Sequence, residues 1–263
     1  MVFGMPVLIE NPSIKENIEL CKELGLGFIE INMSFPQYQL DFLNNTDLNI
    51  LSSENGIFFT IHLDENFNIA DFNPFTRDAY IKTIKGVIEV AKRNSIKTIN
   101  MHMSHGIVVT LPDRKVHLYE TYFEEYLKCF KEFREMCEEL IGDDDIRISI
   151  ENTDGFMDYE KKAIEYLLES KVFSLTWDIG HSVSTDEIDK PFIMEYEDRL
   201  RHFHIHDGTL NPPKNHLALG DGEAPLEDRL NLAFRKGCTC VLETKTIKAL
   251  KKTVNWLKEH DYA

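Results

Sequence analysis

Short apolar runs rich in Val, Ile, Phe and Thr alternate along the chain with longer segments whose apolar residues recur every three to four positions. The first pattern suits strands and the second amphipathic helices. Eight runs read as strands: MPVLIE (5–10), FIEINM (28–33), FFTIHL (58–63), TINMHM (98–103), IRISIEN (146–152), FSLTWDI (173–179), RHFHIHD (201–207) and CTCVLET (238–244). Helical patterns follow each of them: 13–24, 38–54, 76–93, 119–140, 159–170, a short piece at 191–199, 226–236 and 246–260. The clearest, 119–140, puts Tyr119, Tyr122, Phe123, Tyr126, Leu127, Phe130 and Phe133 on one face. Gly25, Gly56, Gly142 and Gly237 each stand near the end of a helical pattern and shortly before a strand, where a left-handed cap is wanted.

Eight strand-helix units in 263 residues with no Pro/Gly/Ser-rich linker predict an α/β fold, a (β/α)8 TIM barrel forming a single domain over 1–263. A doubly wound sheet is the competing architecture. It normally carries a Gly-rich phosphate loop after its first strand, and VLIENPS is not one.

Charge and cysteine usage narrow the partners. The 45 acidic and 29 basic residues leave a formal charge of −16, spread along the chain, which disfavours nucleic acid. The five cysteines show no CxxC spacing and read as reduced core thiols, so a cytoplasmic protein is expected. The start has neither the basic flank nor the long apolar run of a signal peptide, and no stretch reaches membrane-spanning length. A homo-oligomer is compatible with all of this.

In such a barrel the chemistry sits where the strands end, so the polar residues late in each run matter most. They are Glu30, His62, His102, Glu151, Asp178 with His181 just after it, His204 and Glu243. The first strand lacks a clear member unless Glu10 serves. Any one of these taken singly is more often a hydrogen-bonded structural residue or a solvated charge at a loop edge. The set is harder to explain so: Glu151, Asp178, His204 and Glu243 lie on four consecutive strands, and three converging carboxylates call for a cation. An oxygen and imidazole donor set suits Mn, Mg or Co, with Zn also open. His62 and His102, on the strands just before that of Glu151, either hold a second metal or bond a substrate hydroxyl.

These residues resemble the xylose isomerase-like TIM barrels, which include sugar isomerases and epimerases, inosose dehydratases and the endonuclease IV type of AP endonuclease. Glu30 in GFIEI is similar to the Gly-aromatic-x-x-Glu segment of the sugar enzymes. Glu151 in ISIENT, Asp178 with His181 in TWDIGH, His204 in HFHIHD and Glu243 in VLET stand where the family places four metal ligands and a substrate-binding histidine. His62 in TIHL and His102 in INMH resemble the added histidines of the endonuclease branch. That branch also has an Asp-x-His pair after strand seven, where this chain has Lys214 and His216. The epimerases carry an arginine where this chain has Leu210.

The resemblance implies a divalent-metal-dependent isomerase or epimerase acting on a small-molecule sugar or sugar phosphate. Glu151 and Glu243 would move a proton on and off carbon through a metal-stabilised enediolate. The alternative is a metal-dependent phosphodiesterase of the endonuclease type. It needs a basic DNA-facing surface, whereas the strand-to-helix loops offer only scattered Arg77, Arg114, Lys115 and Lys214. His181 would bond a substrate oxygen or take a metal. The long segment 208–226 reads as a binding loop, with His216, Lys214 and the backbone of Gly220 to Gly222 as substrate contacts. Strand alternation sends His202, His204 and His206 to one face: His202 deep and packed, His204 as the ligand, His206 at the rim as a second-layer or substrate contact.

Overall fold

A computed structural model describes residues 1–262. Its eight barrel strands, numbered in chain order, are β1 Val2–Pro6, β2 Phe28–Asn32, β3 Phe58–His62, β4 Thr98–His102, β5 Arg147–Glu151, β6 Phe173–Asp178, β7 Leu200–Ile205 and β8 Thr239–Leu242. All pair in parallel, each with its sequence neighbours, and β8 closes on β1 through Val2↔Thr239, Phe3↔Cys240 and Gly4↔Val241. The α/β barrel expected from the eight repeats is therefore the architecture found.

Alternation along the strands separates two environments. Outward residues such as Ile29, Ile61, Ile148, Ile150, Leu175 and Phe203 are fully buried beneath the helices, each contributing roughly 1.5–3 kcal/mol. Inward residues are largely polar: Glu30, Thr60, Asn100, Ser149, Thr176 and His202 are all buried. They satisfy one another, as when Thr176 Oγ1 meets Asn100 Oδ1 at 2.6 Å and Ser149 Oγ at 2.7 Å.

The differences from the sequence pattern have local causes. β1 begins three residues earlier than 5–10 suggests and ends at Pro6. Val7 N–H still reaches Glu30 O at 2.9 Å, but Leu8 N–H is taken by Asn17 Oδ1 at 3.0 Å and the chain turns away. Glu10 is consequently exposed, with its carboxylate accepting from Ile247 N–H at the start of the last helix, far from any strand end. The 38–54 pattern divides into Pro36–Tyr38, Leu40–Asn45 and Leu48–Asn55, because Asp47 caps a new helix through Ile50 N–H. The 119–140 helix breaks at Tyr122, half-exposed, into Leu118–Thr121 and Phe123–Ile141. Gly25, Gly56, Gly142 and Gly237 all take positive φ, as their positions before strands require.

Two connections at the carboxyl end of the barrel form hairpins: Val108–Thr110 with Lys115–His117 after β4, and Asp207–Thr209 with Lys214–Leu217 after β7. The second rests on helix Ile179–Ser184 at a distance only glycine permits. A Cβ on Gly180 would stand 1.9 Å from His206 Nδ1, and one on Gly222 2.5 Å from Asp207 Oδ1.

Candidate metal centre

At the carboxyl end of β5 to β8, Glu151, Asp178, His204 and Glu243 each bring one ligand atom to within 4.8 Å of all the others. The hub is His204 Nδ1, with Glu151 Oε1 at 2.9 Å, Glu243 Oε2 at 3.0 Å and Asp178 Oδ2 at 4.0 Å. These contacts are close but misaligned: neither His204 ring nitrogen nor Glu243 Oε2 has a hydrogen-bond partner, although all are buried. Buried polar atoms are rarely left so. Three carboxylates and an imidazole with free lone pairs facing one point are the donor set of a divalent cation bound by oxygen and nitrogen. The residues present therefore fit the group.

Each donor is held by neighbours. Glu30, two residues before the end of β2, lies beneath His204: its Oε1 is 2.9 Å from His204 Nε2, and its Oε2 meets Thr60 Oγ1 at 3.0 Å and His202 Nε2 at 3.1 Å. Oε2 is thus hydrogen-bonded within the protein and Oε1 only approaches His204, while Glu30 also lines a cavity of about 210 Å³ shared with Glu243 and Lys245. Asp178 accepts His181 N–H at 2.7 Å through Oδ1 and lies 2.9 Å from His206 Nε2 through Oδ2. Glu151 Oε2 is met by Asn100 Nδ2, by His102 Nε2 at 3.2 Å and by His62 Nε2 at 3.3 Å. Lys245 Nζ sits 2.7 Å from Glu243 Oε1, leaving Oε2 to the cluster.

Burial alone would push these carboxyls up. In Glu151 the opposing pull of His204 and His102 wins, and in Glu243 that of His204 and Lys245, so both lie well below the ordinary carboxylate range. Burial likewise opposes a charge on His62, but the adjoining Glu151 carboxylate raises it to about 9. For His216 burial outweighs the pull of the Glu243 and Asp178 carboxylates and, with His206 and Lys245 nearby, lowers it to about 4.

The remaining sequence candidates divide. His102, His181 and His216 line a cleft of about 310 Å³ above the cluster. His62 is buried against Glu151, within 4.8 Å of it and of His204 as a second potential ligand group. His206 is fully buried rather than at the rim, its nitrogens taken by Asp178 and by His216 N–H at 2.8 Å, so it positions Asp178. For the same reason the convergence of His181, His206 and His216 lacks a free donor on its central member. Lys214 is exposed on the hairpin and stays out of the cleft. The Gly220 and Gly222 N–H groups donate to Asp207 Oδ2 at 3.0 and 2.9 Å, while Gly208 and Ala224 N–H hold its Oδ1. That loop is tied to Asp207 and offers no free backbone donors there.

Several participants are not apparent from strand-end positions alone. Asn100 has the same inward parity as His102 and was readable from alternation. Lys245 lies two residues past Glu243, and Glu65 three past His62, in loops where no periodicity operates. Asn152 Oδ1 receives Asp178 N–H at 2.9 Å and stitches β5 to β6.

The class that fold and site define is a closed parallel α/β barrel with an acid and histidine set at its carboxyl mouth that could hold a metal ion. The chain belongs to the xylose isomerase-like TIM barrel family, whose model matches residues 18–260. Among solved structures it is similar to a D-tagatose 3-epimerase-like protein, at 22% identity and TM-score 0.78 over 99% of this chain and 97% of that one. It also matches 3-keto-D-glucoside 4-epimerase from E. coli, at 16% identity and TM-score 0.76 over 98% and 99% of the two chains. A third likeness is IolI protein with a bound zinc atom, at 14% identity and TM-score 0.70 over 100% and 98%. No curated protein matches the sequence significantly. Among the described residues no helix is long and apolar enough to cross a membrane.

Proposed function

We propose that the protein is a divalent-metal-dependent isomerase or epimerase of a ketose-type sugar, with Glu151, Asp178, His204 and Glu243 as the metal ligands. The observation that carries this reading is the buried quartet whose His204 Nδ1 and Glu243 Oε2 have no hydrogen-bond partner, opening onto a polar cleft. The sugar epimerases of the same fold support it. When bound, the cation supplies Lewis acidity to adjacent carbonyl and hydroxyl oxygens of the substrate, making the carbon between them more acidic.

The chain's own groups account for the proton. Glu151 and Glu243 approach His204 from β5 and from beyond β8, and a substrate carbon held in the cleft would lie within reach of both. One carboxylate takes the proton from that carbon, leaving an enediolate, and the other returns a proton to the opposite face, which inverts the centre. Both carboxylates rest ionised, so the proton that is returned reaches the donating one from a cationic neighbour, His62 beside Glu151 or the Lys245 ammonium beside Glu243, and the proton taken up leaves by the other. His181 and His216, on the cleft wall, are placed to hydrogen-bond the sugar's remaining oxygens.

The test is proton exchange. Ketoses and their phosphates, hydroxypyruvate and inososes are incubated with the metal-loaded protein in deuterium oxide and followed by NMR. At least one should lose its C–H signal beside the carbonyl, and Glu151→Gln and Glu243→Gln should each slow that exchange by 10³-fold or more. Exchange that survives both substitutions together would defeat the reading.

The placement of His62 and His102 on Glu151 Oε2 also favours a second reading, a two-metal phosphodiesterase. Glu65 and Asp154, which line the same cleft, disfavour a nucleic-acid backbone. Cleavage of an abasic-site oligonucleotide in the same panel would reverse the order.

A further inference from the structure

The opposite end of the barrel carries a concentration of positive charge. Arg147 opens β5, Lys171 precedes β6, and Arg199 and Arg201 flank the start of β7. Because these strands are neighbours, the four cations surround one cavity of about 110 Å³, which Phe173 and Ser174 also line. In a chain of net charge −16 composition does not account for such a cluster.

Acidic neighbours answer only part of it. Asp145 lies 3.6 Å from Arg147 and Asp143 lies 3.4 Å from Lys171, both carboxylates being exposed. Arg199 donates to the carbonyls of Ser170 and Phe173, and Arg201 to those of Asp198 and Leu200. Among the described residues neither guanidinium has a carboxylate partner. Burial, with the like charges of Arg201 and Arg147, lowers Arg199 from its ordinary value.

A second observation is independent of charge. Ser174 Oγ is buried without a hydrogen-bond partner, in a residue only 2% exposed, and Ser174 lines this cavity. Alternation gives Ser174 the inward parity of Thr176 and Asp178, and Arg147 that of Ser149 and Glu151. Both therefore belong to the interior base of the barrel.

We propose that this cavity binds a small tetrahedral oxyanion, such as inorganic phosphate, through Arg147, Arg199, Arg201, Lys171 and the Ser174 hydroxyl. Guanidinium groups pair with phosphate through charge-assisted hydrogen bonds in fixed geometry. The volume of about 110 Å³ is well under the roughly 300 Å³ of sites for drug-sized ligands, which points to a free anion rather than a nucleotide. The anion would tie together the starts of the three strands whose far ends carry Glu151, Asp178 and His204.

Isothermal titration calorimetry of the full chain with inorganic phosphate, at ionic strength held constant with chloride, tests the site. Saturable binding of one phosphate per chain is expected, weakened tenfold or more in Arg147→Gln/Arg201→Gln and in Lys171→Gln/Arg201→Gln. Lys171 and Arg201 are exposed, so the second pair remains informative if the first disturbs folding. Binding should be unchanged in Lys245→Gln, which removes a cation of the opposite cleft. No saturable binding to the unaltered protein, wild-type affinity in both double variants, or loss of binding in Lys245→Gln would overturn the proposal.

Discussion

The two mouths of the barrel are built from the same strands and have opposite chemistry. β5 runs from Arg147 to Glu151, β6 from just after Lys171 to Asp178, and β7 from between Arg199 and Arg201 past His204 to Ile205. Parallel strands make this segregation possible, since every strand presents its start to one end and its finish to the other. Between the ends stands a buried column of paired polar groups, Thr176 with Asn100 and Ser149, and Glu30 with Thr60 and His202. Pairing fails at both mouths, at His204 and Glu243 above and at Ser174 below. An unpaired buried polar group costs about 1–3 kcal/mol, and the proposed cation above and anion below would each satisfy some of these atoms.

The largest test of this contrast is removal of divalent metal with a chelator. Turnover of the sugar identified by proton exchange should be abolished and restored by adding back Mn, Mg, Co or Zn, while phosphate affinity at the base stays as it was. Undiminished turnover after exhaustive chelation would break the contrast at its upper end.

Next in size is Lys245→Gln. The ammonium holds Glu243 Oε1 and frees Oε2 for the cluster, so kcat should fall roughly 10- to 100-fold, the range typical when a group holding a metal ligand is lost. A kcat within twofold of wild type would show that Glu243 is positioned by something else. His206→Gln removes the imidazole beside Asp178 Oδ2, and metal affinity measured by competition with a chromogenic chelator should weaken about tenfold.

A smaller effect concerns pH. His216 stays neutral in the folded protein down to about 4, whereas in the unfolded chain it takes a proton near 6.5. The unfolded state therefore binds the extra proton between these values, and stability of metal-free protein falls as pH drops from about 6.5 towards 4, with the contribution complete above that window. Urea unfolding at stepped pH should show a shallower acid loss in His216→Gln. An identical profile for the variant would show that His216 does not contribute to the acid loss.

Much of the barrel was legible because period two and period 3.6 alternate eight times with glycine at the turns. Misreadings arose where an apolar run outlasts its element. Val7 and Leu8 continue the first run but pack after the strand has turned, and one continuous helical pattern at 38–54 conceals the Asp47 cap. The quartet was legible as residues late in successive strands. Its supports were less so: His206 read as either a second-layer or a substrate contact, and its bond to Asp178 is the former, because sequence shows which face a side chain takes, not which partner reaches it first. Lys245 and the grip of Asp207 on the Gly220 and Gly222 N–H groups lie in loops, where no repeat marks position. The basic cluster at the base is invisible to any linear scan, since its members come from three separate strand starts.

Metal analysis of protein purified without chelators, alongside His204→Asn, bears on the cation site without need of a substrate. About one equivalent of divalent metal is expected in the unaltered protein and almost none in the variant, with the fold preserved by circular dichroism. No bound metal in the unaltered protein, or equal metal in both, would contradict the cation site.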